Sequence, residues 1–300
     1  MRSGSGMASV SLDTLNAADR KAFAAVLGEV MELAPWVADD AFAARPFAGV
    51  AALYAAMTDA VRKAPEAQVR ALIDGHPDLA GKAAREGKLT ADSTAEQAGA
   101  GLDRLTEQEF AAFHRLNDAY RKKFAMPFIV CVRRHGKESI LREFERRLRN
   151  DAAAERATAL GEIFRIAALR LDQRVTGPDR LKVHGHLSTH VLDTHGGHPA
   201  PGVAVELREI GAGGARTLLR AVTNADGRTD QPLFGGVPIP IATYELRFSV
   251  GEYFARQHAP MTDPPFLDVV PVRFSVAEPE GKYHVPLLVT PWSYSTYRGS

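Results

Sequence analysis

The feature that most constrains this chain is a change of period near its middle. Up to about Leu171, apolar residues recur at helical spacing in a background of Ala, Leu, Glu and Arg; from about Lys182 they fall in short alternating runs punctuated by Gly, Pro, Asn and Asp. One period builds a helical stripe and the other a half-buried strand, so the two halves need separate cores. The expected architecture is multidomain: an all-α domain over 13–171, a polar linker over 172–181 where Gly177-Pro178 stops the helical pattern, and a β-sandwich or barrel over 182–300. A length of 300 residues fits about two domains. Residues 1–12 begin Met1-Arg-Ser-Gly-Ser-Gly before Met7, lack an apolar signal core, and are expected to be a cloning remnant and tail outside the fold.

Within the first half, Glu138 to Asn150 aligns Ile140, Leu141, Phe144 and Leu148 on one stripe and pairs Glu138/Arg142, Glu143/Arg147 and Glu145/Arg149 at i,i+4. Ala152 to about Leu171 places Leu160, Ile163, Phe164, Ala167 and Leu171 on one face. Helix starts are expected at Asp13-Thr-Leu-Asn16 and at Thr106, where Glu109 can close a capping box. In the second half, strands are expected at Lys182 to Asp193, Val203 to Ile210, Arg216 to Val222, Ala242 to Val250, Asp268 to Val276 and Tyr283 to Thr290. Asn224-Ala-Asp-Gly227, Gly196-Gly197 and Glu280-Gly281 supply the turns.

The 37 basic and 36 acidic side chains give a formal net charge of +1, so no global field draws the chain to nucleic acid or to acidic membranes. No apolar run approaches the roughly 18 to 20 residues of a membrane span. A lone cysteine, Cys131, excludes an intramolecular disulfide and fits a reducing compartment. The C-terminal Arg298-Gly-Ser300 is not a peroxisomal address, and a cytoplasmic protein is expected.

Chemistry-bearing residues concentrate in two places. Five of the ten histidines lie between His184 and His198, and His184, His186 and His190 share strand parity. A metal site there is disfavoured: no His-Glu-x-x-His helix or second cysteine accompanies them, and Asp193 has the opposite parity. Imidazoles can instead exchange protons near neutral pH unaided. In the first half, Pro77 forces His76 out of the α region, so a helix should end there and present the imidazole at its boundary; a cap or surface role is the plain alternative. Ser93-Thr-Ala-Glu-Gln97 reads equally as a helix start, with Ser93 capping and Glu96 at the third position.

The runs Leu187-Ser-Thr-His-Val-Leu-Asp193, Thr223-Asn-Ala-Asp-Gly-Arg228, Tyr283-His-Val-Pro-Leu-Leu288 and Tyr294-Ser-Thr-Tyr-Arg-Gly-Ser300 together resemble the transthyretin-related 5-hydroxyisourate hydrolases, across the whole β half. The resemblance implies a transthyretin-like two-sheet β-sandwich that assembles as a homotetramer, with sites in a channel between subunits. His190 and His284 would be its imidazoles, Arg228 its guanidinium, and Tyr297 with Ser300 its terminal pocket groups. Opening a cyclic amide needs a base to activate water and a cation or donor where oxyanion charge develops. A neighbouring Arg keeps such an imidazole neutral, and its planar fork suits a urea-like edge. His184, His186, His195, His198 and His258 are expected to be surface or channel-wall residues.

The α half, through His76-Pro-Asp-Leu-Ala80, Ser93 to Gln97, Leu116-Asn-Asp-Ala-Tyr120 with Lys123-Phe124, and Pro127-Phe-Ile-Val-Cys131, is similar to the 2-oxo-4-hydroxy-4-carboxy-5-ureidoimidazoline (OHCU) decarboxylases. That similarity implies an all-helical fold in which His76, in its His-Pro motif with Pro77, donates a proton and Glu96 and Gln97 orient the substrate. Ser93 and the backbone of Phe128, Ile129, Val130, Cys131 and Val132 would complete the pocket. Arg170 would hold the substrate carboxylate by a bidentate contact, or simply stabilise a helix C-terminus.

The two resemblances imply consecutive steps on small-molecule substrates: hydrolysis of 5-hydroxyisourate to OHCU, then decarboxylation to (S)-allantoin, with no metal or other cofactor. The competing expectations are a hydrolase carrying a non-catalytic helical scaffold, a transthyretin-like carrier of apolar ligands, and a metallohydrolase built on the 184–198 histidines.

Overall fold

The computed structural model describes residues 9–80 and 89–299, and they form two compact units. One comprises the chain up to Val132 with Ile140–Val183, the other Arg133–Ser139 with the chain from His184 onward.

The described helices before Gly177 are α1 (Leu12–Ala17), α2 (Arg20–Leu27), α3 (Trp36–Phe42), α4 (Val50–Lys63), α5 (Glu66–Asp74), α6 (Ala91–Gly99), α7 (Glu107–Phe124), α8 (Lys137–Arg147) and α9 (Ala152–Arg174). Their inward stripes supply one core that includes Phe23, Leu53, Met57, Leu72, Phe113, Phe144, Ile163 and Leu171. Thr106 and Glu109 close the capping box that starts α7, with bonds of 3.2 and 2.8 Å. Helix α1 is capped instead by Ser11. Helix α9 runs three residues past Leu171, and Val175–Thr176 (β2) pairs in parallel with Val10–Ser11 (β1). Regular structure thus occupies 172–176, expected as linker, and 10–12, expected as tail, because pairing satisfies backbone groups that a free linker would leave to water.

A buried ionic group anchors this bundle. Arg147, fully buried, donates from Nε to Glu155 (2.7 Å) and from Nη1 to the Ile129 carbonyl (2.6 Å), and lies 4.4 Å over the Phe128 ring. Tyr120 also donates to Glu155.

The second unit is a two-sheet sandwich. One sheet has the order β10–β9–β3–β4, from Tyr294–Thr296 (β10), Lys282–Val289 (β9), His186–Asp193 (β3) and His198–Pro199 (β4). The other has the order β6–β5–β7–β8, from Gly214–Val222 (β6), Ala204–Gly211 (β5), Ala242–Ser249 (β7) and Val269–Val276 (β8). Leu187 and Val191 of β3, Leu207 of β5, Leu246 and Phe248 of β7, and Val285 and Leu287 of β9 meet between the sheets. Strict alternation then turns His186, Ser188 and His190 to the outer face, and the parallel β3–β9 register sets Ser188 opposite His284.

Strand β3 starts at His186 rather than Lys182, so His184 precedes it. The run expected to end a strand at Val250 turns into helix α10 (Val250–Arg256), which buries Val250, Tyr253 and Phe254. Its apolar residues pack at helical spacing, a period too short to register against the preceding strand.

Candidate active sites

In the helical unit, α5 ends at Asp74 and the chain leaves through Gly75 into His76-Pro77. The His76 ring turns back to cap the helix: Nδ1 lies 2.8 Å from the Leu72 carbonyl, the side chain is buried, and Nε2 is left for the pocket. The capping and pocket-lining readings of this residue are therefore one arrangement. With Pro77, Ser93, Glu96, Gln97, Phe128, Ile129, Val130, Val132 and Arg170, it lines a cavity of about 370 Å³ that Leu79 and Ile166 complete.

Each wall is held from behind. Gln97 accepts the Ala80 amide (3.1 Å) and Asn117 donates to the Leu79 carbonyl (2.9 Å), fixing the turn after Pro77. The 128–132 strap is clamped by Arg147 at the Ile129 carbonyl and by Glu162 at the Cys131 amide (2.8 Å). Cys131 is consequently the one member of the strap off the lining: its amide is taken by Glu162, and its side chain packs on Ala168, Leu169 and Val183.

Two expectations change. Ser93 does not cap α6; Thr90 does, accepting the Ser93 amide at 3.3 Å, and Ser93 sits inside the first turn with its hydroxyl in the pocket wall. Arg170 does not present a free fork to a substrate carboxylate. Its Nε and Nη2 grip Glu96 at 3.0 and 2.8 Å, and Nη1 donates to Glu32 at 2.8 Å. It lies within α9 rather than at its end, so it is not a helix-terminus cation either. Sequence reasoning passed over Glu32, which is 4% exposed and also accepts from Thr90 (2.6 Å) and Ser93 (3.1 Å). The available signal was one carboxylate inside the apolar run Val30-Met-Glu-Leu-Ala-Pro-Trp36. Its neighbour Leu33 is left 71% exposed at φ 50°, the reverse of hydrophobic patterning.

Burial pushes the His76 imidazole below its ordinary pKa, with Arg170 in the same direction and the Leu72 carbonyl and Glu32 opposing. Burial would raise Glu32, but the Thr90 hydroxyl and Arg170 outweigh it and hold the carboxyl below its usual value. Burial likewise disfavours charge on Arg170, yet Glu96 and Glu32 keep its pKa raised.

In the sandwich unit, His190 of β3, His284 of β9 and Arg228 come together on the outer face. Arg228 is delivered by the Asn224–Gly227 turn, which docks on β3 through the Val191 amide and Gly227 carbonyl (2.8 Å). Gly227 is required there: its φ is +70°, and a Cβ would meet the Val191 carbonyl at 2.3 Å. The His190 Nε2 is buried and, among the described residues, without a hydrogen-bond partner. His284 Nδ1 lies 3.0 Å from the Ser188 hydroxyl.

The chain end closes over His284. The Gly299 amide donates to the His284 carbonyl (2.8 Å), and a Cβ on Gly299 would come within 2.8 Å of the imidazole. Tyr297 is 57% exposed beside this contact, and Ser300 lies outside the described residues. Burial first, then the Arg228 charge, lowers both the His190 and the His284 pKa; His190 and His186 lower His284 further. Both imidazoles are therefore neutral bases at neutral pH. Of the other histidines, His186 shares this face, whereas His195 and His198 sit beyond β3 at the exposed edge. Among the described residues, no group of three or more His, Cys, Asp or Glu side chains is placed to hold a metal ion.

Each unit thus gathers imidazole and guanidinium groups at one place: a buried imidazole beside a carboxylate–guanidinium cluster in a helical bundle, and a pair of imidazoles with a guanidinium on the outer face of a two-sheet sandwich. Residues 16–172 match the OHCU decarboxylase family and residues 187–299 the HIUase/Transthyretin family, and the chain belongs to both. The second half is 55% identical over 118 residues to the 5-hydroxyisourate hydrolase of Deinococcus radiodurans, covering 39% of this chain and 98% of that protein. The first half is 38% identical over 168 residues to the 2-oxo-4-hydroxy-4-carboxy-5-ureidoimidazoline decarboxylase of Haloferax volcanii, covering 56% of this chain and 98% of that one. A solved (S)-allantoin synthase is similar across both halves: 33% identity, 97% of this chain, 100% of that chain, TM-score 0.50.

Proposed function

We propose that the chain carries out two consecutive steps of urate degradation: the sandwich unit hydrolyses 5-hydroxyisourate to OHCU, and the helical unit decarboxylates OHCU to (S)-allantoin. The observation that carries this reading is that one chain joins an OHCU decarboxylase unit to a 5-hydroxyisourate hydrolase-like unit and is similar to an (S)-allantoin synthase over nearly its whole length.

In ring opening, the unpartnered Nε2 of a neutral His190 takes a proton from water as its oxygen attacks the ring carbonyl. Arg228 binds the urea-like edge and stabilises the oxyanion; the His190 imidazolium returns its proton to the departing nitrogen, and neutral His284, held through Nδ1 by Ser188, orients the substrate from the other side. Tyr297 contributes a pocket group, as does Ser300, a role that for Ser300, outside the described residues, rests on the resemblance alone. In decarboxylation, the bond from the hydroxyl-bearing ring carbon to the carboxylate breaks, carbon dioxide leaves, and the electron pair is delocalised toward the neighbouring ureido-bearing carbon as an enol. His76 Nε2 then delivers a proton to the ureido-bearing carbon from one side, which sets the product's handedness, while the enol hydroxyl gives up its proton to become the ring carbonyl. Glu96, Gln97 and Ser93 orient the hydroxyl and ureido groups against Pro77 and the strap of Phe128 to Val132, and Arg170 serves by fixing Glu96.

The chain assembles as a homotetramer through its sandwich units, a reading supported by exposed Trp292, Tyr294 and Tyr297 along and beyond the edge strand β10. It works in the cytoplasm; no helix among the described residues is long and apolar enough to cross a membrane. The functional domains are those expected at 13–171 and 182–300, with the first extended to include Val10–Leu12 and the chain through Thr176.

The deciding experiment generates 5-hydroxyisourate with urate oxidase in the presence of this protein and follows circular dichroism. Rapid appearance of (S)-allantoin is expected; rapid loss of 5-hydroxyisourate with racemic product would leave the helical unit as a scaffold.

A further inference from the structure

The helical pocket has a charge arrangement that the decarboxylation chemistry does not by itself require. Among the described residues, Arg170 hydrogen-bonds two carboxylates, Glu32 and Glu96, and lies 3.7 Å from a third, Asp92, which it shares with the neighbouring Arg174. The cluster is therefore one negative charge in excess when His76 is neutral, and the substrate brings another. Two anions in a partly desolvated cavity repel strongly unless a proton enters with the second. Among the described residues, Glu32 and Arg170 act electrostatically on His76, and they oppose each other. Asp78, two residues along the chain, is neutralised by Arg121 at 2.9 Å, and Glu96 is held on the Arg170 fork.

Glu32 comes from the segment between α2 and α3, is not among the residues lining the cavity, and accepts three hydrogen bonds. Oε1 receives Thr90 and Ser93, the cap and first turn of the helix that carries Glu96 and Gln97, and Oε2 receives Arg170. One side chain thus joins the loop, α6 and α9 behind the pocket.

We propose that Glu32 is a positioning residue of the decarboxylation: it locks Arg170 and the first turn of α6, and its fixed negative charge makes His76 take up the proton it donates when the anionic substrate binds. The inference rests on His76 as the proton donor. Arg170 is then a counter-ion shared by two carboxylates, with Glu32 balancing it so that the guanidinium does not draw the substrate carboxylate out of line.

The test is the pH dependence of (S)-allantoin formation from enzymatically generated OHCU, for the full chain and for Glu32→Gln, which keeps the side chain's shape and removes its charge. Glu32→Gln is expected to lose about tenfold or more of the rate at pH 8, with much of the loss recovered on acidification, because a less basic His76 needs more protons in solution to be charged. Glu32→Asp should be slower at every pH with the profile in its original place. A folded Glu32→Gln protein slowed equally at all pH values would make Glu32 merely structural and overturn the proposal. Should Glu32→Gln not fold, Glu32→Asp decides: an unchanged rate, or a displaced profile although the charge is kept, refutes it. His76→Asn distinguishes the underlying reading, since a variant still making (S)-allantoin at the normal rate would remove His76 as donor whatever Glu32 does.

Discussion

Replacing Arg147 with Met should destabilise the helical unit severely and leave the sandwich unit alone. Arg147 is fully buried and is the charge partner of Glu155, itself fully buried. Its removal strands a carboxylate, deprives the Ile129 carbonyl of its donor and takes the guanidinium from the face of Phe128. Breaking a buried pair on one side costs about 3–5 kcal/mol. Asn150 and Tyr120 still hydrogen-bond Glu155, which favours the lower end. At roughly 2–4 °C per kcal/mol for a domain of this size, the helical transition should fall by about 6–12 °C. Calorimetry of the full chain, with ellipticity at 222 nm assigning the helical transition, reads this directly. The double variant Arg147→Met/Glu155→Leu removes both charges and should regain a large part of the loss. The reasoning fails if the single variant shifts the helical transition by less than about 2 °C, or if the double variant is no better than the single. Decarboxylation should fall with the single variant, since the pocket strap loses one of its two clamps, while ring opening is unchanged.

His76→Asn should abolish (S)-allantoin formation yet leave 5-hydroxyisourate consumption at the parent rate, measured by circular dichroism and ultraviolet absorbance in the same cuvette. His284→Ala and Arg228→Ala should do the reverse, slowing ring opening by about 10²-fold or more as an orienting group or an oxyanion partner is lost; loss of both activities in a folded variant would show that the sites are not independent. Ring opening should also stay active to lower pH than an ordinary histidine base allows. The His190 and His284 pKa values are depressed, so the neutral form persists as pH falls and activity is lost only on passing through those lowered values. Taking away the Arg228 charge moves that limb toward higher pH, which the residual activity of Arg228→Ala measured against pH would show; a limb that stays put would mean that Arg228 does not set the imidazole charge.

Most of the fold was legible because local periodicity carried it. A 3.6-residue stripe in Glu138–Asn150 and two-residue alternation in Leu187–Asp193 report burial directly, whatever the partner surface. The features that escaped are short or non-local: α10, whose residues continue the apolar run of β7, and β10 and β4, strands of three and two residues defined only by their neighbours. In the sandwich site, His190, His284 and Arg228 are brought together by the β3–β9 register and the Gly227 turn, whereas Tyr297 is exposed and Ser300 lies outside the described residues. In the helical pocket, His76, Glu96 and Gln97 were legible, whereas Cys131 and Arg170 took other partners and Glu32 went unseen.

By itself, then, the sequence determined two cores of different period, the turn at which Arg228 is presented, and the helix end that exposes His76, since each follows from bonds and sterics within a few residues. Tertiary structure alone decided that Glu32, Ser93, Glu96 and Arg170 share one buried cluster. Their chain separations reach 138 residues, and which carboxylate a guanidinium meets depends on how helices pack, a property no local pattern encodes.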